Sequence, residues 1–265
     1  MREMSYRAAL AAALILGVAI TGTTARAAVK TKTIEYKDGD ATLKGVLAWD
    51  DAAGGKRPGV LVVHEWWGLN DYAKSRAVAL AKAGYVAFAL DMYGDDKVTS
   101  HGNQAGEWMN QITANVAAWR SRASAGLAIL KSQPQVDAGR TAAIGYCFGG
   151  ATVMQMAYAG ADVKAVVSFH GSLPPAGDDV SAIKPRVLVA HGRDDAFIPA
   201  ERIEAFQKAL DRVGADWEMT IYSGTRHGFT NPDAGDYGID NLAYNKTADE
   251  RSWAAMMRLF GEVFR

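Results

Sequence analysis

The chain of 265 residues is 49% hydrophobic and 22% charged, with no polar low-complexity linker and no internal repeat, which fits one sizeable globular domain. Its 29 basic residues balance 29 acidic ones, which argues against nucleic acid as a partner, because proteins that bind it usually carry a basic excess.

In chain order, the first 27 residues are set aside. Arg2 and Arg7 give a positive start, Ala8 to Ile20 is an apolar run without a charge, and Ala25-Arg26-Ala27 is an A-x-A site. This is the layout of a secretory signal peptide, with cleavage expected near Ala27 and a secreted or periplasmic mature protein. The alternative is a membrane anchor, but the run falls short of the ~20 apolar residues that a span needs. Residues 28–265 are then read as a single domain.

Thr33 to Tyr36 and Leu43 to Trp49 read as two opening strands around the turn Asp38-Gly39-Asp40. Val60 to Val63 is a continuous apolar strand, Asp71 to Ala83 a helix ended by Gly84, and Tyr85 to Leu90 the next strand. Ala105 to Ser132 reads as one long helical stretch stopped by Pro134. Then come a strand from Thr141 to Tyr146, a helix from Phe148 to Tyr158, and strands at Val163 to Phe169 and Arg186 to Ala190. A helix from about Ala200 to Val213, a strand from Trp217 to Tyr222 and a helix from Ala248 to Phe264 close the chain. Short apolar runs without polar alternation are strands buried on both faces. Their alternation with helices predicts an α/β fold with a mainly parallel sheet and helices on both faces. Sites in such sheets form at the carboxyl ends of the strands.

One such end carries Gly145-Tyr146-Cys147-Phe148-Gly149-Gly150, joining a strand directly to a helix. This is the G-x-S-x-G nucleophile elbow with Cys in place of Ser. The glycines are there for steric reasons, since strand and helix must pass closely around a strained turn. Cys147 would start the helix, where the dipole and free N–H groups favour a thiolate, and the Phe148 N–H would face a developing oxyanion. Cys147 is also the single cysteine, so it has no internal disulfide partner; the plainer alternative is a buried, inert thiol. After another strand, His191 to Pro199 resembles the H-G-x-x-D-x-x-V-P loop that carries the triad acid in α/β-hydrolases, which makes Asp195 the acid and Asp194 its solvated neighbour. Asp is common in turns as well. Chain order in that fold is nucleophile, acid, His, and of the five histidines only His227 follows Asp195. His64 and His191 are expected to brace strand ends and His101 to be solvated, while His170 receives no role from its position. No His, Asp or Glu cluster has metal spacing, and neither a metal nor an organic cofactor is expected.

Taken together, His64-Glu65-Trp66-Trp67-Gly68, Asp91-Met92-Tyr93-Gly94, the Cys147 elbow, Asp195 with Ile198-Pro199, and His227-Gly228-Phe229 resemble the dienelactone hydrolase family over nearly the whole mature chain. The resemblance implies an α/β-hydrolase fold and hydrolysis of a small ester or lactone through a thioester on Cys147, with His227 and Asp195 completing the triad. It implies that Glu65 contacts the resting thiol, although a salt-bridged loop residue is the alternative. It also implies that the N–H groups of Trp66 and Phe148 form the oxyanion hole. Trp67, Tyr93 and Phe229, with Trp66 and Trp108, are candidates for an apolar substrate pocket; ordinary core packing is the alternative. The chain departs from the family's best-known members where those bind a substrate carboxylate with two arginines: Asp95 and Asn231 stand at these positions. A thioesterase or cysteine peptidase on the same fold, a thiol redox sensor and a non-catalytic ligand-binding relative are the competing functions. Neither a stable membrane anchor nor a particular oligomeric state is implied.

Overall fold

Alternation within each apolar run decides which side chains face which layer. In the computed structural model, which describes residues 29–265, the runs form one eight-stranded sheet. The expected signal peptide, residues 1–27, lies outside the described residues. β1 (Val29–Asp38) and β2 (Ala41–Asp50) form a hairpin turned at Gly39, whose φ of +58° suits glycine. β2 pairs antiparallel with β4 (Val86–Leu90). β3 (Arg57–Val63), β5 (Val136–Tyr146), β6 (Ala165–Phe169), β7 (Arg186–Gly192) and β8 (Trp217–Tyr222) continue the sheet in parallel, in the order β1-β2-β4-β3-β5-β6-β7-β8.

Leu61, Val63, Phe88 and Leu90 point to one face, where α3 (Val116–Lys131), α4 (Phe148–Tyr158) and α5 (Ala200–Arg212) supply Trp119, Leu127, Met154 and Phe206. Their neighbours Val60, Val62, Ala87 and Ala89 point to the other face, against Ala77 and Leu80 of α1 (Asp71–Lys82) and Met256 and Phe260 of α6 (Lys246–Val263). Each large apolar side chain buried this way contributes roughly 1.5–3 kcal/mol, so both faces of the sheet are held by packing against helices. No helix among the described residues is long and apolar enough to cross a membrane.

The structure divides the long helical stretch expected at Ala105 to Ser132. α2 (Gly102–Thr113) ends, and α3 restarts after Asn115, which is extended (φ −121°, ψ 100°) and accepts a bond from the Ala118 N–H at 3.1 Å. An Asn side chain that caps a new first turn competes with continuation of the old helix. β5 also begins earlier than expected, because its pairing with β3 resumes at Val136 beyond a register shift at Pro58/Gly59.

Candidate active site

β5 ends at Tyr146 and α4 begins at Phe148, so one residue makes the turn. Cys147 makes it at φ 54°, ψ −114°, a region that costs of order 1–3 kcal/mol for a residue with a side chain. The glycines explain how the turn is accommodated: a Cβ on Gly145 would overlap the Gly149 carbonyl, and one on Gly149 would overlap the Val63 carbonyl. The Cys147 N–H is held by the Phe169 carbonyl at 3.0 Å and by His170 Nδ1 at 3.1 Å. Because an amide only donates, His170 carries its proton on Nε2, which donates to Thr230 Oγ1 at 2.7 Å. Burial first, then the charges of His227 and Arg76, depress the His170 pKa well below 6.5 and keep the ring neutral. His170 therefore buttresses the elbow from β6. The only signal available in the sequence was its place just past a strand.

Asp195 follows β7 and is buried, whereas Asp194 is exposed. His227 Nδ1–H donates to Asp195 Oδ2 at 2.7 Å. The other carboxylate oxygen accepts from the Phe197 N–H at 3.0 Å and Asn241 Nδ2 at 3.3 Å. Burial opposes ionisation of Asp195, but these bonds outweigh it and hold its pKa below the ordinary 3.8. Burial alone would lower the His227 pKa; the Cys147 sulfur facing the ring and the Asp195 carboxylate bonded to it raise it instead to about 10. Asn241 also fixes the His227 backbone, its carbonyl accepting the His227 N–H at 3.1 Å. Nothing in the sequence singled out Asn241.

The loop after β3 brings Glu65 and Trp66 to the same end of the sheet. Glu65 is buried, and burial lifts its pKa to about 7 against the opposing hydrogen bond from Asn231 Nδ2 at 2.7 Å. Its bond to Asn231 is where the expected thiol contact would have been: among the described residues no hydrogen bond joins Glu65 to Cys147. The Trp66 N–H takes no hydrogen bond among the described residues, and the Phe148 N–H, at the first position of α4, has no intrahelical acceptor. His64 does brace a strand end, bridging the loops after β3 and β4, and His101 is an exposed residue ahead of α2.

Cys147 and His227 open into a cleft of about 420 Å³ walled by Trp66, Met109, Trp119, Phe148, Phe197 and Leu242. Among the described residues, no Lys, Arg, Asp or Glu lines it. Three sequence candidates for its wall are corrected by packing. Trp67 is buried against Tyr237 in a stack at 3.9 Å, Phe229 is buried beside His170 and Tyr222, and Tyr93 is buried with its hydroxyl donated to the Trp66 carbonyl. α2 and α3 provide Met109, Thr113 and Trp119 instead, which periodicity could not aim at a site. Among the described residues, no three His, Cys, Asp or Glu side chains come together to hold a metal ion.

The model of the dienelactone hydrolase family matches residues 43–264. The chain belongs to that family. Among solved structures it is similar to a dienelactone hydrolase-like promiscuous phosphotriesterase from metagenomic libraries. The two share 42% identity over 89% of this chain and 99% of that one, with a TM-score of 0.87. It is also similar to the structure named m3DLH, at 43% identity over 89% and 98% of the two chains and a TM-score of 0.86. A Synechocystis protein provisionally named carboxymethylenebutenolidase is 28% identical over 250 residues, 88% of this chain and 96% of that protein. As a dienelactone hydrolase family member, the chain is a carboxylic ester or lactone hydrolase with the α/β-hydrolase fold. Within that family its departures are concrete. Asp95 is exposed and paired with Lys97 at 3.2 Å, Asn231 is buried on Glu65, and Lys97 and Arg226 are both absent from the cleft wall.

Proposed function

We propose that this hydrolase works through a covalent thioester on Cys147 and takes uncharged esters or lactones. The reading is carried by one observation: His227, bonded to Asp195 at 2.7 Å, also faces the Cys147 sulfur in a cleft that no Lys, Arg, Asp or Glu lines among the described residues. The sulfur, as thiolate, attacks the substrate carbonyl, and the oxyanion is received by the N–H groups of Trp66 and Phe148. Collapse expels the alcohol oxygen, which takes the proton from His227, and leaves a thioester. His227, now neutral, removes a proton from water; the hydroxide adds to the thioester, and the sulfur departs as the acid is released. Asp195 holds the ring in the required tautomer throughout. Glu65, buried and poised near neutrality, is read as the group that tunes the resting thiol, by analogy with its family position.

The test is a neutral aryl ester turned over in rapid-mix mode. An initial burst of phenol equal to the enzyme, and a mass increase of one acyl group on the peptide containing Cys147, are expected; a Cys147→Ala protein that still turns over would remove the proposal. The same cleft would admit a neutral aryl phosphotriester, the class in the name of the metagenomic relative, and that substrate belongs in the panel. Thioesters and peptides in the same panel separate the thioesterase and peptidase readings. Export is a second part of the proposal. It is supported by the N-terminal layout of residues 1–27 and is checked by sequencing the N-terminus of protein recovered from the periplasm or medium.

A further inference from the structure

The oxyanion donor assigned to Trp66 sits in a loop, and a loop N–H gives catalysis only if it is aimed. Two buried side chains outside the triad grip the peptides on either side of it. His64 Nδ1–H donates to the Glu65 carbonyl, and His64 Nε2 accepts the Met92 N–H at 3.2 Å. The amide can only donate, so this pair of bonds sets the tautomer, and burial keeps the ring neutral by lowering its pKa. The Glu65 carbonyl and the Trp66 N–H belong to one planar trans peptide and point in opposite directions. Holding the carbonyl therefore aims the N–H. On the next peptide, Tyr93 Oη donates to the Trp66 carbonyl at 3.0 Å. The two rings touch edge-on at 5.0 Å, and both pack on Phe148, whose N–H is the second donor.

We propose that His64 and Tyr93 are positioning residues that clamp the peptides flanking Trp66 and so preform the oxyanion hole. This rests on the thioester reading and on Trp66 N–H as a donor. It explains why a histidine is buried at the exit of β3 without touching the triad, and why Tyr93 is spent on a carbonyl rather than on the cleft wall.

Histidine's two nitrogens can be mimicked separately. In His64→Asn the amide nitrogen falls near Nδ1 and keeps the donor to the Glu65 carbonyl. In His64→Gln the amide reaches Nε2 and keeps the acceptor for Met92 but loses that donor. Tyr93→Phe removes the second pin with little change in shape. Three measurements are compared with wild type: kcat/KM on a neutral aryl ester, inhibition by an aryl trifluoromethyl ketone, whose adduct carries the oxyanion, and the rate of Cys147 alkylation by iodoacetamide, which builds none. Loss of one whole donor costs about 10²–10³-fold in other hydrolases, so mis-aiming one is expected to cost about 10–100-fold. His64→Gln and Tyr93→Phe should lose that much in kcat/KM and in ketone affinity together, with alkylation within about twofold of wild type, while His64→Asn stays within about fivefold. Wild-type values in both His64→Gln and Tyr93→Phe, an equal loss in His64→Asn and His64→Gln, or alkylation falling in step with turnover would each overturn the clamp. A wild-type enzyme that the ketone neither inhibits nor modifies at Cys147 would instead overturn the thioester reading beneath it.

Discussion

At the level of single residues, burial separates Asp195 from Asp194. Only the buried carboxylate bonds to His227, while the Asp194 side chain faces water. Asp195→Asn and His227→Ala should each reduce kcat/KM on a neutral ester by about 10³-fold or more, and Asp194→Asn by less than about threefold. Steady-state kinetics on the three proteins check this, and a sensitive Asp194 would place the acid one residue earlier. Glu65 carries a second prediction. Its pKa is raised to about 7 from an ordinary 4.5, so the folded protein holds a proton there that the unfolded chain releases. Stability from this group is full below about pH 4.5 and declines as pH rises towards 7, where the buried carboxyl ionises. A shift of this size corresponds to on the order of 3 kcal/mol. Glu65→Gln keeps an acceptor for Asn231 and removes the charge, so it should flatten that decline and make the protein more stable than wild type above pH 7. Urea midpoints from pH 4.5 to 8 measure it; an unchanged slope would show Glu65 ionised throughout.

Among the elements, the junction of α2 and α3 has the most to say about the cleft. α2 buries only Ala105 and yet delivers Met109 and Thr113 to the wall, so its angle matters more than its own stability. Asn115 sets where the second helix starts through its bond to the Ala118 N–H. Asn115→Ala should cost about 1 kcal/mol, seen as a Tm lower by roughly 2–4 °C for a domain of this size. Aryl ester turnover should stay within about twofold, because Cys147 and His227 lie on other elements; a loss of turnover without a fall in Tm would mean that Asn115 acts on the cleft directly. The elbow behaves differently. Its conformation is dictated by overlap between backbones at Gly145 and Gly149, which a local spacing of glycines records.

For the whole molecule, the distribution of charge around the cleft governs which substrates it takes. Among the described residues no Lys or Arg lines the wall, Lys97 pairs with Asp95, and Arg226 bonds the Asp240 carbonyl. A substrate carboxylate in this cleft would lose water and meet only the His227 ring, which Asp195 and the Cys147 sulfur already engage, so its burial without a partner of its own costs several kcal/mol. A neutral aryl ester should therefore exceed a carboxylated dienelactone of similar size by at least about 100-fold in kcat/KM, and a preference for the anion would require a cation to move into the wall. Local chemistry in the sequence determined the order of strands and helices, the elbow at Cys147 and the candidacy of His227, because steric strain, apolar runs and chain order leave marks in the sequence, while Asp195 was preferred to Asp194 only through the resemblance of its loop to that of α/β-hydrolases. Only the tertiary structure decided that Glu65 turns to Asn231, 166 positions away, that His170 and Asn241 steady the elbow and the base, and that Trp119 rather than Trp67 reaches the cleft. Those outcomes depend on which faces of distant elements pack together, and a helix or loop residue carries no local record of the neighbour it will meet.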